Sequence, residues 1–136
     1  MHLTVITNPD EKSKDKYEIA RTIYAETGAT SLRVVEAFAA MIANAAAKCG
    51  TSAIDIVRDP ARFDARYASS PRHARWHVSA ASPAFQMCLR VAHKMLNGTL
   101  GDVCAGATRF HHDDELPDWA MALGYVADID GILFYA

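Results

Sequence analysis

Among the residues able to do chemistry, Glu26 is the one best placed for proton transfer. The residues before it read as a helix that stops at Gly28, so Glu26 lies one or two positions before a helix end. The partial negative charge at a helix C-terminus opposes ionisation of a carboxyl group. Tyr24 and the apolar residues nearby would desolvate the group further. Both effects favour the protonated form that a general acid requires. Position alone favours a plainer reading, a solvated acid at a helix end, because carboxylates are mostly surface groups. Glu36, Asp64, Asp102, Asp113 and Asp114 are the candidates for a second carboxylate, should the chemistry need one to activate water.

The run His111-His112-Asp113-Asp114-Glu115 has the residue types of a metal site. Adjacent residues on a strand alternate faces, however, and do not converge on one ion. A solvated loop after a strand is the expected reading, with no metal. The three cysteines, Cys49, Cys88 and Cys104, include no C-x-x-C pair, which argues against structural zinc and against a dense disulfide framework. The serines and the six histidines form no recognisable Ser-His-Asp pattern. Glu36 sits on a mostly apolar helix, where it either faces a cleft or pairs with Arg33 at i−3. Asn44 either binds a ligand or is a buried amide satisfied by backbone. Trp119 and Tyr135 either stack on ligand rings or belong to the core.

The elements that must position these residues follow from periodicity. Residues 7 to 16 are polar, with Pro9 early, and read as a loop, residues 1–15 being an N-terminal extension. Asp15 is the expected N-cap of a first helix from Lys16 to Thr27, with Gly28 at its end. Ser31 caps a second helix, Leu32 to Lys48, apolar on most sides and therefore central. Thr51 or Ser52 caps a short third helix, Ala53 to Arg58. The stretch from Asp59 to Pro83 has no clear period, and a loop that long inside a compact domain is often functional. Pro83 opens a helix from about Ala84 to Asn97. The last third carries β-prone segments at Ala107–His111, Met121–Ala127 and Ile132–Tyr135, the last two expected to pair across a turn at Asp128–Gly131. Helices first and a small antiparallel sheet last make an α+β domain.

A chain of 136 residues, 51% of them apolar, suits one domain with a real core. Formal charge is −2, which gives no support to a nucleic-acid partner. No stretch reaches the length of a membrane span, and the N-terminus lacks a signal-peptide pattern.

Ala20-Arg21-Thr22-Ile23-Tyr24-Ala25-Glu26 resembles the opening motif of the SleB-type cell-wall hydrolases. Further similar stretches follow in that family's order. Asn44 stands where the family has an Asn-Arg pair, and Arg62-Phe63 where it has Gln-Phe-Ser. Cys88-Leu89-Arg90-Val91-Ala92 with Leu96-Asn97-Gly98 resembles its late helix. Asp102 and Gly106-Ala107-Thr108, followed by Phe110-His111, Pro117-x-Trp119 and Phe134-Tyr135, complete the set. The departures are Thr30 at the place of a second Glu, Ala45 and Arg62 in the pairs just named, and Ile132 in place of a His.

The resemblance, over roughly residues 17 to 136, implies a lysozyme-like, mostly helical fold and a peptidoglycan glycan substrate. It implies lytic transglycosylase activity without a cofactor. It makes Glu26 the catalytic acid, with Asn44, Phe63, Thr108, Phe110, His111, Trp119 and Tyr135 as substrate-binding candidates, to which Glu36 is added for its place on an apolar helix. Thr30 in place of a second Glu favours a single-acid mechanism over an inverting muramidase; a catalytically weak peptidoglycan-binding module is the alternative outside enzymes. The expected place of action is the periplasm or cell wall. The chain would be made in the cytoplasm and released as phage lysis enzymes are, or injected as an antibacterial effector, which would call for a dedicated inhibitor protein.

Overall fold

The computed structural model describes residues 11–136, with side chains from Lys14 onward. The first helix, α1, spans Glu11–Thr27 and so begins earlier than the expected Lys16. Asp15 lies inside it and caps nothing. The charged run from Glu11 holds no breaker, and Glu and Lys are good helix formers. The part of the expected loop at residues 7–10 lies outside the described residues. Ile19, Ala20 and Ile23 are fully buried, and α1 packs along α5 (Pro83–Leu96), where Tyr17 tilts against Phe85 at 5.8 Å. Gly28 ends α1 with φ +69, a left-handed conformation that suits glycine.

α2 (Leu32–Cys49) runs through the centre, with ten of its residues buried. Ser31 accepts from the Val34 amide as the expected N-cap, and left-handed Gly50 closes the helix. α3 (Ala53–Val57) is capped by Ser52, and α5 by Ser82 with Pro83 in its first turn. The region from Asp59 to Pro83 is mostly turns but contains one short helix, α4 (His73–Trp76). Glu18 ties α1 to the end of α3 by accepting from Arg58 at 2.7 Å and to this region by accepting from Arg66 at 3.1 Å.

The C-terminal third forms a three-stranded antiparallel sheet in the order β1-β3-β2. Its strands are β1 (Arg109–His112), β2 (Tyr125–Ile129) and β3 (Ile132–Tyr135). The hairpin of the last two is as expected from sequence, but its turn is only Asp130-Gly131, both at positive φ, and Asp128 belongs to the strand. The middle segment starts later than expected because Pro117 leads into a 3-10 helix at Asp118–Met121, which leaves Met121 exposed. The Asp130 carboxylate accepts from the Thr30 and Ser31 hydroxyls at 2.8 and 2.7 Å. The hairpin tip is thereby fastened to the α1–α2 connection, one turn of chain from Glu26. The α+β class and the small C-terminal sheet agree with the sequence reading. No helix among the described residues is long and apolar enough to cross a membrane.

Candidate active site

Two pockets meet at Glu26. The first, about 390 Å³, is floored by Met41 and Ala45 of α2 and walled by residues 60–64, strand β1 and the segment from Glu115 to Trp119. The second, about 600 Å³, lies between the end of α1, Arg72 and Arg75, and the Asp130-Gly131 turn. Glu26, Arg72 and His112 line both pockets and so form the neck between them.

Glu26 occupies the last turn of α1 and is only 3% exposed. Its Oε1 is buried without a hydrogen-bond partner, and so is His112 Nε2. Glu26 Oε2 lies 3.9 Å from that nitrogen, beyond ordinary hydrogen-bond length. The His112 ring meets the Phe110 ring edge-on at 5.5 Å, and its backbone amide donates to Glu115 Oε1. Phe110 in turn stacks on buried Phe63 at 5.5 Å and 20° and contacts Phe38 at 4.7 Å. A chain of ring contacts thus runs from the core through Phe63 and Phe110 to His112, beside the carboxyl group. Arg72 is the cation at the neck, with a side chain 12% exposed and a long contact of 3.7 Å to the well-exposed Asp114.

No protein-family model and no curated protein matches this chain. Two solved structures do. The catalytic domain of the germination-specific lytic transglycosylase SleB from Bacillus anthracis matches with a TM-score of 0.71 at 16% identity, covering 96% of this chain and 100% of that one. The catalytic domain of the Bacillus cereus SleB protein matches with a TM-score of 0.70 at 16% identity, covering 99% and 98%. This chain has the SleB catalytic-domain fold. At that identity the likeness is one of backbone, so the roles of side chains rest on this chain's own geometry.

Within the SleB fold, six of the nine residues singled out from sequence line the first pocket: Glu26, Phe63, Thr108, Phe110, His111 and Trp119. Glu36, Asn44 and Tyr135 line neither pocket. Glu36 makes no ion pair with Arg33 either. Asn44 donates to Ala107 O at 3.1 Å and to Asp102 Oδ1 at 3.2 Å, fastening α2 to the loop before β1. Asp102 also accepts from the Cys104 and Gly106 amides, so it organises that loop. Tyr135 is buried behind the wall, its hydroxyl 2.8 Å from His111 Nε2. His111 Nδ1 faces the His112 carbonyl at 2.8 Å. A carbonyl only accepts, so Nδ1 carries the hydrogen and Nε2 accepts from Tyr135. Of the candidate second carboxylates, Asp64 lines the first pocket and Asp113 and Asp114 the second.

Arg72, His112 and Glu115 line the pockets without being catalytic or substrate-binding candidates from sequence, where His112 and Glu115 enter only in the run with metal-site residue types. For His112 the signal was present. Residues i and i+2 of a strand share a face, and His112 is two residues after Phe110. Arg72 comes from the stretch without periodicity, and nothing in its neighbours marks it. Arg62, in place of the family's Gln, spans the pocket wall by donating to Thr108 O at 3.0 Å.

Proposed function

We propose that this chain cleaves the glycan strands of peptidoglycan between N-acetylmuramic acid and N-acetylglucosamine, as a lytic transglycosylase with Glu26 as its single acid and base. The observation that carries the reading is a buried carboxyl group at the neck between two open pockets. A polymer lying through both pockets would bring one inter-sugar bond past Glu26, with sugar rings on either side. The aromatic wall of Phe63 and Phe110 suits the apolar faces of such rings. The fold shared with a protein described as a lytic transglycosylase supports the same reading.

In the proposed reaction the Glu26 carboxyl gives its proton to the glycosidic oxygen as the bond to the anomeric carbon breaks. The resulting carboxylate then takes the proton of the muramic acid C6 hydroxyl while that oxygen bonds the anomeric carbon. The product is a 1,6-anhydro sugar, and no water is consumed. Asp64 and Glu115 line the same pocket, which favours one second reading, an inverting muramidase in which a further carboxylate activates water.

Digestion of purified peptidoglycan by wild type and Glu26→Gln, with products resolved by mass spectrometry, tests both readings. Anhydro-muramic ends that vanish in the variant are the expected result. Reducing ends indicate the hydrolase. Binding without cleavage by the wild type overturns both and leaves a peptidoglycan-binding module. The substrate places the activity at the cell wall, so toxicity is expected only when the chain is delivered to the periplasm. An effector role would require an inhibitor protein that closes this cleft.

A further inference from the structure

We propose that His112 is a second catalytic residue, which holds the C6 hydroxyl of the reacting muramic acid against Glu26. The proposal rests on the transglycosylase reading above and adds to it the group that positions the internal nucleophile.

Among the described residues, Glu26 Oε1 and His112 Nε2 are the two buried side-chain polar atoms with no hydrogen-bond partner. Native proteins satisfy nearly all such atoms, and each exception calls for a cause, a catalytic role among them. Here both exceptions fall at one place, the neck that joins the two pockets. The 3.9 Å from His112 Nε2 to Glu26 Oε2 is too long for a direct bond. It is short enough for one oxygen atom to sit about 2.8 Å from each, with an angle of roughly 90° at that oxygen. The pair is therefore spaced to share a single hydroxyl group.

The ring is held in this position. The His112 carbonyl accepts from His111 Nδ1 at 2.8 Å, and its amide donates to Glu115 at 3.0 Å. The edge-on contact with Phe110 fixes the ring plane, and the side chain is only 12% exposed. A nitrogen placed so firmly orients a hydroxyl at small entropic cost during the reaction.

The step balances as follows. Glu26 has already protonated the departing sugar's oxygen, and the bond from that oxygen to the anomeric carbon has broken. His112 Nε2–H donates to one lone pair of the C6 oxygen. The other lone pair of that oxygen forms the new bond to the anomeric carbon. The hydroxyl proton passes to the Glu26 carboxylate, which restores the acid. His112 keeps its own proton throughout. Its contribution is to aim the internal hydroxyl and to occupy the space from which water would otherwise attack.

The test compares wild type, His112→Phe and His112→Gln on purified peptidoglycan, with Glu26→Gln as the reference for loss of the acid. Phe keeps the ring and its contact with Phe110 but has no donor, while the Gln amide restores an N–H near the position of Nε2. For His112→Phe the expected result is a kcat lower by about 100-fold with KM within about twofold. Its ratio of anhydro to reducing ends should fall about tenfold, because water competes for the unguided centre. His112→Gln should recover at least about a tenth of the wild-type kcat and most of the product ratio. Circular dichroism and melting curves establish that each variant is folded.

A folded His112→Phe with wild-type kcat and product ratio overturns the proposal while leaving Glu26 untouched. Equal losses in both variants with an unchanged product ratio also overturn it, since they mark a purely structural residue. Undiminished cleavage by Glu26→Gln, or reducing ends alone from the wild type, overturns the underlying function and this proposal with it.

Discussion

Glu26→Gln is expected to make the protein more stable at neutral pH while abolishing cleavage. The magnitude follows from the site. Glu26 is 3% exposed, its Oε1 has no partner, and Oε2 is 3.9 Å from His112 Nε2. A buried polar group left unsatisfied costs about 1–3 kcal/mol, and more when it is charged. Glutamine keeps the shape and removes any charge, and a small rotation lets its amide oxygen accept from His112 Nε2–H. Relief of about 1 kcal/mol is the expected size, since the amide NH2 remains poorly served. For a domain of this size that raises the melting temperature by about 3–5 °C. Differential scanning calorimetry of the two proteins, beside peptidoglycan digestion, reads both effects. A gain in stability with a loss of function is the mark of a residue held in place for catalysis. A variant no more stable than wild type refutes the reasoning, because it shows that the carboxyl group is satisfied in the fold and that Glu26 is a structural acid.

Glu18→Gln tests the tie between α1 and the segment after α3. Burial pushes the Glu18 carboxyl up, but hydrogen bonds from Arg58 and Arg66 outweigh it and hold the group below its ordinary value of 4.5. A lowered folded-state value contributes stability above the unfolded value and loses it as pH falls through the folded one. Wild type should therefore exceed the variant by about 1 kcal/mol at pH 7, discounted for solvent screening, and denaturation at stepped pH should show the gap closing below 4.5. Asn44→Ala should cost about 1–2 kcal/mol in urea unfolding, for two lost hydrogen bonds, while KM for glycan strands stays unchanged. A raised KM would instead make Asn44 a substrate ligand. Burial pushes the Cys88 thiol up to about 12, and burial aided by Asp102 pushes the Cys104 thiol up to about 11. Native protein treated with a thiol reagent at pH 8 should label at exposed Cys49 alone, as read by peptide mass spectrometry.

Much of this fold is readable along the chain because its signals are local. Ser31, Ser52 and Ser82 each begin a helix by accepting from a backbone amide three residues on, and Gly50 ends one by entering a left-handed conformation. Those contacts span a few residues, so composition and spacing suffice. The apolar character of α2 on most sides likewise dictated its central place. The errors lie where local preference is weak. The start of α1 was misplaced because a charged run suits both helix and loop. The expected strand from Met121 begins only at Tyr125, because Met121 closes a 3-10 helix and residues 122–124 have no partner strand.

Sequence alone thus determined the α+β class, the N-caps of α2, α3 and α5, the hairpin, and the position of Glu26 in the last turn of α1. Tertiary structure alone decided what surrounds that residue. His112 reaches Glu26 across 86 residues of chain, through the pairing of β1 with β3 and the fastening of the hairpin tip to Thr30 and Ser31. It also sent Asn44 to the Ala107 carbonyl and Tyr135 behind His111, away from the cleft. A helix cap is a contact between near neighbours and is written in their spacing. A cleft is a contact between distant segments, and its members are chosen only when the core brings those segments together.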